Sequence, residues 1–490
     1  MGNVRRAYFM AALEQYSQVI VSISMIAVLS RLLDSTAIGL AVIGLGIGTI
    51  AFNFREFVTS EYLIQREDVS EEDVRTGFTL IFGFSVAIGS LLILLAHWFA
   101  GFYSEAGLSA FVCVLAISGV IDAPVSTIAA LLRRDMEFGN LTRINALGSI
   151  VNALVTIAFA WFGFGFMSFA WGTLASALVR IVLAFHARPI FWMFRPRLKG
   201  WYEFFIFGGY KGASTVLDRT YEALPQLVLG RIMPLTAVGL FNRANVVCGL
   251  PDKILLSAIF SVAFPAFAAE ARAQRSVKDA YLKIISYITA LYWPAVLVVA
   301  ILAHPIVHVA LGQAWDATVP LVQILSVAAI FWFPNILTFP VLVALGANRE
   351  AFRANFIGRG MSIIVICTAS FFGLYALVLS QFIALPFQML ISLIYVRRHA
   401  PFHWQELFAI LAKSAVVTFG GILGPLGVLA ANGFAFDLSI LQALAAGLFS
   451  AIGWVTALVI TKHPFLEELI RIVGLFLPRL LPSKQGVPAE

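Results

Sequence analysis

The chain has 490 residues, 60% of them apolar and only 12% charged, with a formal net charge of +7. Globular proteins average about 45–50% apolar and about 25% charged residues, and the mean hydropathy here is +0.92. These figures exclude a disordered chain, a soluble multidomain enzyme and, despite a pI near 9.4, a nucleic-acid binder. Apolar sequence runs from about residue 7 to residue 461, too far for a single anchor, so the composition is that of a polytopic membrane protein.

The chain opens on a short basic stretch, Met1 to Arg6. Glu14, Gln15 and Gln18 follow in the first apolar segment, which has no small-residue cleavage site and is expected to be retained. A bilayer-spanning helix takes about 20 predominantly apolar residues. On that measure fourteen spans are predicted, near 8–30, 37–58, 77–99, 108–131, 145–162, 166–185, 203–228, 237–264, 284–303, 319–344, 355–372, 375–395, 406–430 and 439–461. Beyond them, Phe465 to Leu481 alternates apolar residues with Glu467, Glu468, Arg471 and Arg479, the pattern of a helix lying in the membrane interface.

Cytoplasmic loops collect Lys and Arg. With both termini inside, the inner segments of this scheme hold 23 of the 33 basic residues, while the outer loops hold Arg31 and Arg231. The net charge is therefore mostly a topology signal. The basic stretch Arg188 to Lys199 is read the same way, as an inner loop.

The sequence also repeats itself. Residues Arg31 to Leu40 (RLLDSTAIGL) align with Arg231 to Leu240 (RIMPLTAVGL) at an offset of 200, sharing Arg, Thr, Ala, Gly and Leu. A weaker echo links Arg134 to Phe138 with Asn348 to Phe352. An even six-span offset places both copies on one side of the membrane. It gives parallel repeats, an arrangement that puts a substrate site between two bundles. The expected fold is thus an all-α polytopic membrane protein of about fourteen transmembrane helices. It would have a six-helix lobe at 1–200, a second at 201–400, and a helix pair with an interfacial tail at 401–490.

Ionisable residues within spans are costly and face a cavity or each other. In the seventh span Lys211, Thr215, Asp218, Arg219, Glu222 and Gln226 share a helical arc of about 100°, so that face is expected to line water or a partner helix. Glu14, Gln18 and Ser22 form a milder stripe in the first span. The second carries Asn53, Arg55 and Glu56, and the eighth carries Asn242, Arg243, Asn245, Asp252 and Lys253. By the repeat, these four spans correspond pairwise. The cations Arg55, Lys211, Arg219, Arg243 and Lys253 suit a phosphate or pyrophosphate, to which Arg offers a bidentate fork. Glu14, Glu56, Asp218 and Glu222, with Asp252, are candidates for ion coupling or for pairing with those cations. Substrate contact and structural pairing both stay open for each residue. Arg180, Arg359 and Lys413 stand apart, explained by snorkelling or local pairing.

Gly44 and Gly48 read as a small-xxx-small helix-packing pair, and Pro225, Pro251, Pro294, Pro334, Pro340 and Pro386 favour bent helices. Cys113, Cys248 and Cys367 lie in apolar segments without metal-like spacing. His304 and His308 are four apart with no carboxylate at metal spacing. There is no nucleophile elbow, phosphate loop or long outer loop, so neither an enzyme nor a cofactor is expected.

Several stretches together resemble a known family. They are Arg31-Leu32-Leu33 with Gly39, Leu63-Ile64-Gln65-Arg66 with Asp68, Leu131 to Phe138, Gly230-Arg231 with Val238 to Ala244, Phe264-Pro265-Ala266-Phe267, and Ala344-Leu345-Gly346. In order and spacing they are similar to the polysaccharide transport branch of the multidrug/oligosaccharidyl-lipid/polysaccharide exporter superfamily, over about residues 10–400. The resemblance implies a flippase of the bacterial inner membrane. It would move an undecaprenyl-pyrophosphate-linked oligosaccharide repeat unit between leaflets by alternating access, for exopolysaccharide, capsule or O-antigen. The implied partners are that lipid-linked glycan, the bilayer and a polymerase or export complex, with no nucleic acid. The rival readings are a multidrug/cation antiporter of the same superfamily, a peptidoglycan-precursor flippase and, from another class, a membrane glycosyltransferase or ligase.

Overall fold

The computed structural model describes residues 2–58, 62–66, 68–256, 267, 269–270, 272–273 and 275–476. Among them every regular element is a helix. Ten helices are long and apolar enough to cross a membrane: Ser35–Ile64, Glu71–Tyr103, Gly107–Arg134, Phe138–Trp161, Met167–Ala187, Val277–Ile301, Gln313–Ala344, Leu374–His399, Trp404–Ala431 and Ile440–Ile460. The helices Gly2–Leu32, Trp201–Ile232, Leu235–Cys248 and Asn348–Ser370 occupy the other four expected positions and carry the polar residues that dilute their hydropathy. Leu94, Phe162, Phe372 and Leu441 are each at least three-quarters exposed. Such side chains need lipid as their solvent. The chain is a multi-pass membrane protein.

Helix ends are set by polar residues that apolar windows do not register. The third span is a 33-residue helix starting at Glu71, because Ser70 and Asp73 form a capping box and three acidic residues sit in the first turn. The second span stops as an α-helix at Asn53 and tightens into a 3₁₀ turn, Phe54–Val58. The fourth is interrupted at Asp122, where a proline at the second position of the following helix restarts it. Pro334 divides the tenth, after a 3₁₀ segment, Ala329–Trp332. Pro251 precedes a π-helical stretch, Asp252–Leu256. Pro225, Pro294 and Pro386 sit within continuous helices. The rest of the eighth span, to 264, with Phe264-Pro265-Ala266, lies outside the described residues.

The helices sort into two compact units. One comprises Met1–Val246, Val307–Leu321 and Phe352–Ala384; the other comprises Val247–Ile306, Val322–Ala351 and Leu385–Glu490.

In the first unit the duplicated motif meets itself. Thr36 Oγ1 lies 3.0 Å from Thr236 Oγ1. A Cβ on Gly39 would stand 2.1 Å from the Leu235 carbonyl oxygen, and one on Gly239 would stand 2.0 Å from that of Ser35. The exchange is reciprocal, as a two-fold relation between the repeats requires. Glycine is needed at both positions because backbone touches backbone. The end of the preceding Gly2–Leu32 helix is pinned by Trp315, only 1% exposed, whose indole N–H donates to the Ser30 carbonyl at 2.7 Å. Arg31 Nη2 donates to the Val309 carbonyl at 2.8 Å. Gly44 and Gly48 admit the Phe111 ring and the Leu115 side chain against the Ser35–Asn53 helix, as their spacing suggests.

The second unit is built around Tyr281, Phe333 and Phe402. Its Trp404–Ala431 and Ile440–Ile460 helices come together where Gly420 and Gly453 leave only backbone between them. The Phe465–Phe476 helix docks through Phe465 against Trp454 and Tyr287; residues 477–481 of the expected interfacial helix lie outside the described residues. His463, which precedes it, accepts the Phe465 backbone N–H at Nδ1 (3.2 Å) and faces Ser286 and Ser414 with Nε2. Burial, aided by the Lys413 ammonium, lowers this imidazole below its ordinary value, which keeps the Nε2–H tautomer that this bonding requires.

The motif contact yields a direct test. Gly39→Ala is expected to destabilise the detergent-purified protein by about 1–3 kcal/mol. Gly83→Ala, where nothing lies within 4 Å, should leave the thermal midpoint almost unchanged. Equal midpoints for both variants would contradict a backbone-tight contact.

Candidate transport site

The polar residues of the spans have particular partners. On the Trp201–Ile232 helix, Asp218 accepts from Asn355 Nδ2 at 2.7 Å and pairs with Arg359 Nε at 3.3 Å. Arg359 in turn stacks over the Tyr221 ring, 5.1 Å from its centroid. Asp218 therefore faces the part of the Asn348–Ser370 helix that lies in the same unit. Arg359 is not isolated; it is the counter-ion of Asp218. The next residue, Arg219, bridges Glu222 one turn along at 2.9 Å, both exposed, and Gln226 accepts from Asn242 Nδ2 at 3.2 Å. Gly208 and Gly212 bring this helix onto the Phe54–Val58 turn, since a Cβ on either would collide with the backbone of Glu56 or Phe57. The side chains of Lys211 and Glu14 lie outside the described residues, although both positions are helical.

The other expected cations sit in separate settings. Arg243 is 4% exposed and lies over the Trp315 ring at 5.8 Å, with Nε and one terminal nitrogen unbonded. Lys253 is exposed on the π-helical stretch of the second unit. Arg219, Arg243 and Arg55 thus have different neighbours: Glu222, the Trp315 ring, and the carbonyls of Phe52 and Gly119.

Arg55 occupies the most developed setting. The Ser35–Asn53 and Gly107–Ile121 helices both end beside it, leaving last-turn carbonyls without intrahelical donors. Arg55 Nε donates to the Phe52 carbonyl at 3.1 Å and Nη1 to that of Gly119 at 3.3 Å. A cation at two helix C-termini is stabilised by both dipoles. Asp122 and half-buried Glu56 lie within electrostatic reach. Asp122, at the helix break, pairs with Arg180 Nη1 at 2.8 Å. Arg180 reaches it along Gly148, where a Cβ would meet its side-chain carbons at 2.5 Å. These groups, with Thr49, Asn53 and Asn152, border a cavity of about 340 Å³ inside the first unit. Sequence reasoning found Arg55 but set Arg180 apart and omitted Asp122. A carboxylate followed by Ala123-Pro124 within an apolar run was the available signal. His308, likewise, pairs with Asp316, a carboxylate eight residues away that its helical spacing does not suggest.

The arrangement offers buried, directional hydrogen-bonding groups and fixed charges in a lipid-embedded scaffold. Comparison with known sequences gives it a context. Residues 28–320 match the sequence profile described as polysaccharide biosynthesis protein. The chain belongs to that family.

Arg55, Asp122, Arg180, Asp218 and Arg243 all fall within the matched segment, whereas Arg359 lies beyond it. Among curated relatives, the chain is 24% identical over 312 residues to the lipopolysaccharide biosynthesis protein WzxC of Escherichia coli, covering 62% of each chain. It is 23% identical over 306 residues to the teichuronic acid biosynthesis protein TuaB of Bacillus subtilis, covering 59% of this chain and 60% of the relative. Over 228 residues it is 25% identical to the succinoglycan biosynthesis transport protein ExoT of Rhizobium meliloti, covering 46% of this chain and 45% of the relative. The match thus spans about three-fifths of the length of the first two relatives. The fold is similar to that of the lipid II flippase MurJ in an inward closed conformation. The TM-score is 0.74 at 14% identity, covering 95% of this chain and all of that one. An inward-facing multidrug resistance transporter of the MATE family gives a TM-score of 0.61 at 14% identity, over 80% of this chain and 95% of that one. The fold of this chain is therefore similar to that of these two transporters.

The Arg180–Asp122 pair is 30% and 22% exposed, against 48% and 58% for Arg219–Glu222. Asp122→Ala strands a mostly buried guanidinium and is expected to cost about 1–3 kcal/mol. Glu222→Ala should cost no more than about 0.5 kcal/mol. Thermal unfolding in detergent ranks the two, and a larger loss from Glu222→Ala would contradict the assignment.

Proposed function

We propose that this chain is a flippase of the bacterial inner membrane, both termini cytoplasmic, which carries a polyprenyl-pyrophosphate-linked oligosaccharide repeat unit between leaflets for surface polysaccharide synthesis. The observation that carries the proposal is the polar, ion-paired face of the Trp201–Ile232 helix within a lipid-embedded helical chain of the polysaccharide biosynthesis family. A helix bearing Asp218, Arg219, Glu222 and Gln226 is not soluble in hydrocarbon. It belongs beside a hydrophilic path, and such a path has work to do when the cargo is a glycan headgroup. Its prenyl tail would stay in the bilayer.

Arg219, Lys211, Arg243 and Lys253 supply positive charge for the pyrophosphate, with Arg55 beside the cavity of the first unit. Exposed Arg219 is the foremost of them, because its partner Glu222 is a weak surface bridge that an anion can displace. Glu14, Glu56, Asp218 and Glu222 are the candidates for ion coupling. Asp218, already held by Asn355 and Arg359, is placed to change partners if the Asn348–Ser370 helix moves. Alternating access would work by parting and re-forming the contact between the Arg31 and Arg231 motifs. A carrier, not an enzyme, is the reading these features support, with a polymerase or export complex receiving the product. The cation antiporter of the same superfamily, which would favour an acid-dominated cavity, is disfavoured by this mixed set of cations and carboxylates.

In a host deleted for its own flippase, the wild-type chain should restore export of the matching glycan. Arg219→Ala and Lys211→Ala should each reduce that export severalfold while leaving membrane insertion intact. Wild-type export from both variants would overturn the assignment of these cations to the substrate path.

A further inference from the structure

We propose that the cavity bordered by Asp122, Arg180 and Asn152 is a subsite for one neutral hexopyranose ring of the carried glycan, an assignment that rests on the flippase reading. The cavity belongs wholly to the first unit and measures about 340 Å³, within the range of about 300–1,000 Å³ typical of small-molecule sites.

Its lining has the chemistry for a sugar. Planar groups that bind in two directions stand beside hydroxyls and a small apolar patch. Asp122 engages Arg180 Nη1 through one oxygen, leaving the other as an acceptor. Arg180, which lines the cavity, spends Nη1 on Asp122 and keeps 30% of its side chain exposed. Asn152 accepts from Thr156 through Oδ1 at 3.1 Å, which leaves its two amide N–H donors unspent among the described residues. Asn53 donates to the Thr49 carbonyl at 2.6 Å and keeps its own oxygen. A carboxylate, a guanidinium and an amide, each with hydrogen-bonding capacity beyond its one protein partner, match the paired donors and acceptors of adjacent ring hydroxyls. Leu45 and Leu115 supply apolar wall for the ring's C–H face.

The charge balance argues against a free anion. Arg55 and Arg180 are two positive charges, and Asp122 with the Glu56 beside Arg55 are two negative. The sum is near zero. No excess cation remains to hold phosphate or halide, whereas unspent hydrogen-bonding capacity does remain to hold a neutral polyol.

The test is protection of a thiol placed in the wall. Thr173→Cys, with Ser176→Cys as a second position, would be labelled with a maleimide in the purified full-length protein, above the level given by Cys113, Cys248 and Cys367. The probes are the methyl glycosides of glucose, galactose and N-acetylglucosamine, with sodium phosphate and sodium acetate for comparison. A saturating methyl glycoside should slow labelling about tenfold, the factor 1 + [L]/Kd reaches near nine times Kd. Asn152→Ala should remove that protection without preventing labelling. Equal protection by phosphate or acetate would overturn the assignment in favour of an anion site. So would absence of protection by any glycoside in protein that still exports glycan, which would leave the flippase reading standing. Protection in a protein that moves no lipid-linked glycan when reconstituted would instead overturn the flippase reading while upholding the sugar pocket.

Discussion

One constraint shapes the first unit: two copies of a ten-residue motif, 200 positions apart, touch backbone to backbone. Gly39 and Gly239 have no room for a Cβ, because the carbonyls of Leu235 and Ser35 lie 2.1 and 2.0 Å from where one would be. Thr36 and Thr236 close the contact with a hydroxyl pair. In hydrocarbon there is no hydrophobic drive to push helices together, so close van der Waals approach and interhelical hydrogen bonds must supply the attraction. The contact is also one that can be undone. It consists of small residues at helix N-termini, with neither a greasy interdigitated core nor a salt bridge to break.

Charge placement follows a second constraint. Each ionisable group in the described spans must be matched, since lipid will not solvate it. Asp218 is matched by Arg359 and Asn355 on another helix, Asp122 by Arg180, and Arg55 by the carbonyls at two helix ends. Arg243 is matched least completely, by the face of Trp315 with two nitrogens left unbonded. These partners cross between helices, so each pair holds a particular helix arrangement. A carrier that switches arrangement must exchange them, and the polar residues would then serve packing and transport together.

The sequence made much of this readable, and the reasons for the rest are physical. The motif duplication was visible because identical residues at a fixed offset need no structural knowledge, whereas the backbone contact at Gly39 and Gly239 emerged only from the packing. The Gly44 and Gly48 pair was equally plain. The change to 3₁₀ geometry at Phe54–Val58 was hidden, since Phe54, Phe57 and Val58 continue the apolar run and hydropathy does not register helix type. Asp122 and Arg180 are 58 positions apart on spans outside the repeat-matched set, so nothing in one dimension joins them. Arg359 was read as solitary for the same reason. Carboxylate–cation pairing across helices is tertiary information, and only packing reveals which of several charges in the membrane are neighbours.

A carrier that works by parting the Thr36–Thr236 contact must stop when that contact is locked. A Thr36→Cys/Thr236→Cys chain places two thiols where hydroxyls stood 3.0 Å apart, within reach of a disulfide. The decisive measurement is transfer of lipid-linked oligosaccharide across vesicles containing this variant, before and after oxidation. Transfer is expected when the thiols are reduced, with its loss once the cross-link has formed and its return with reductant. Undiminished transfer by fully cross-linked protein would contradict a carrier of this kind.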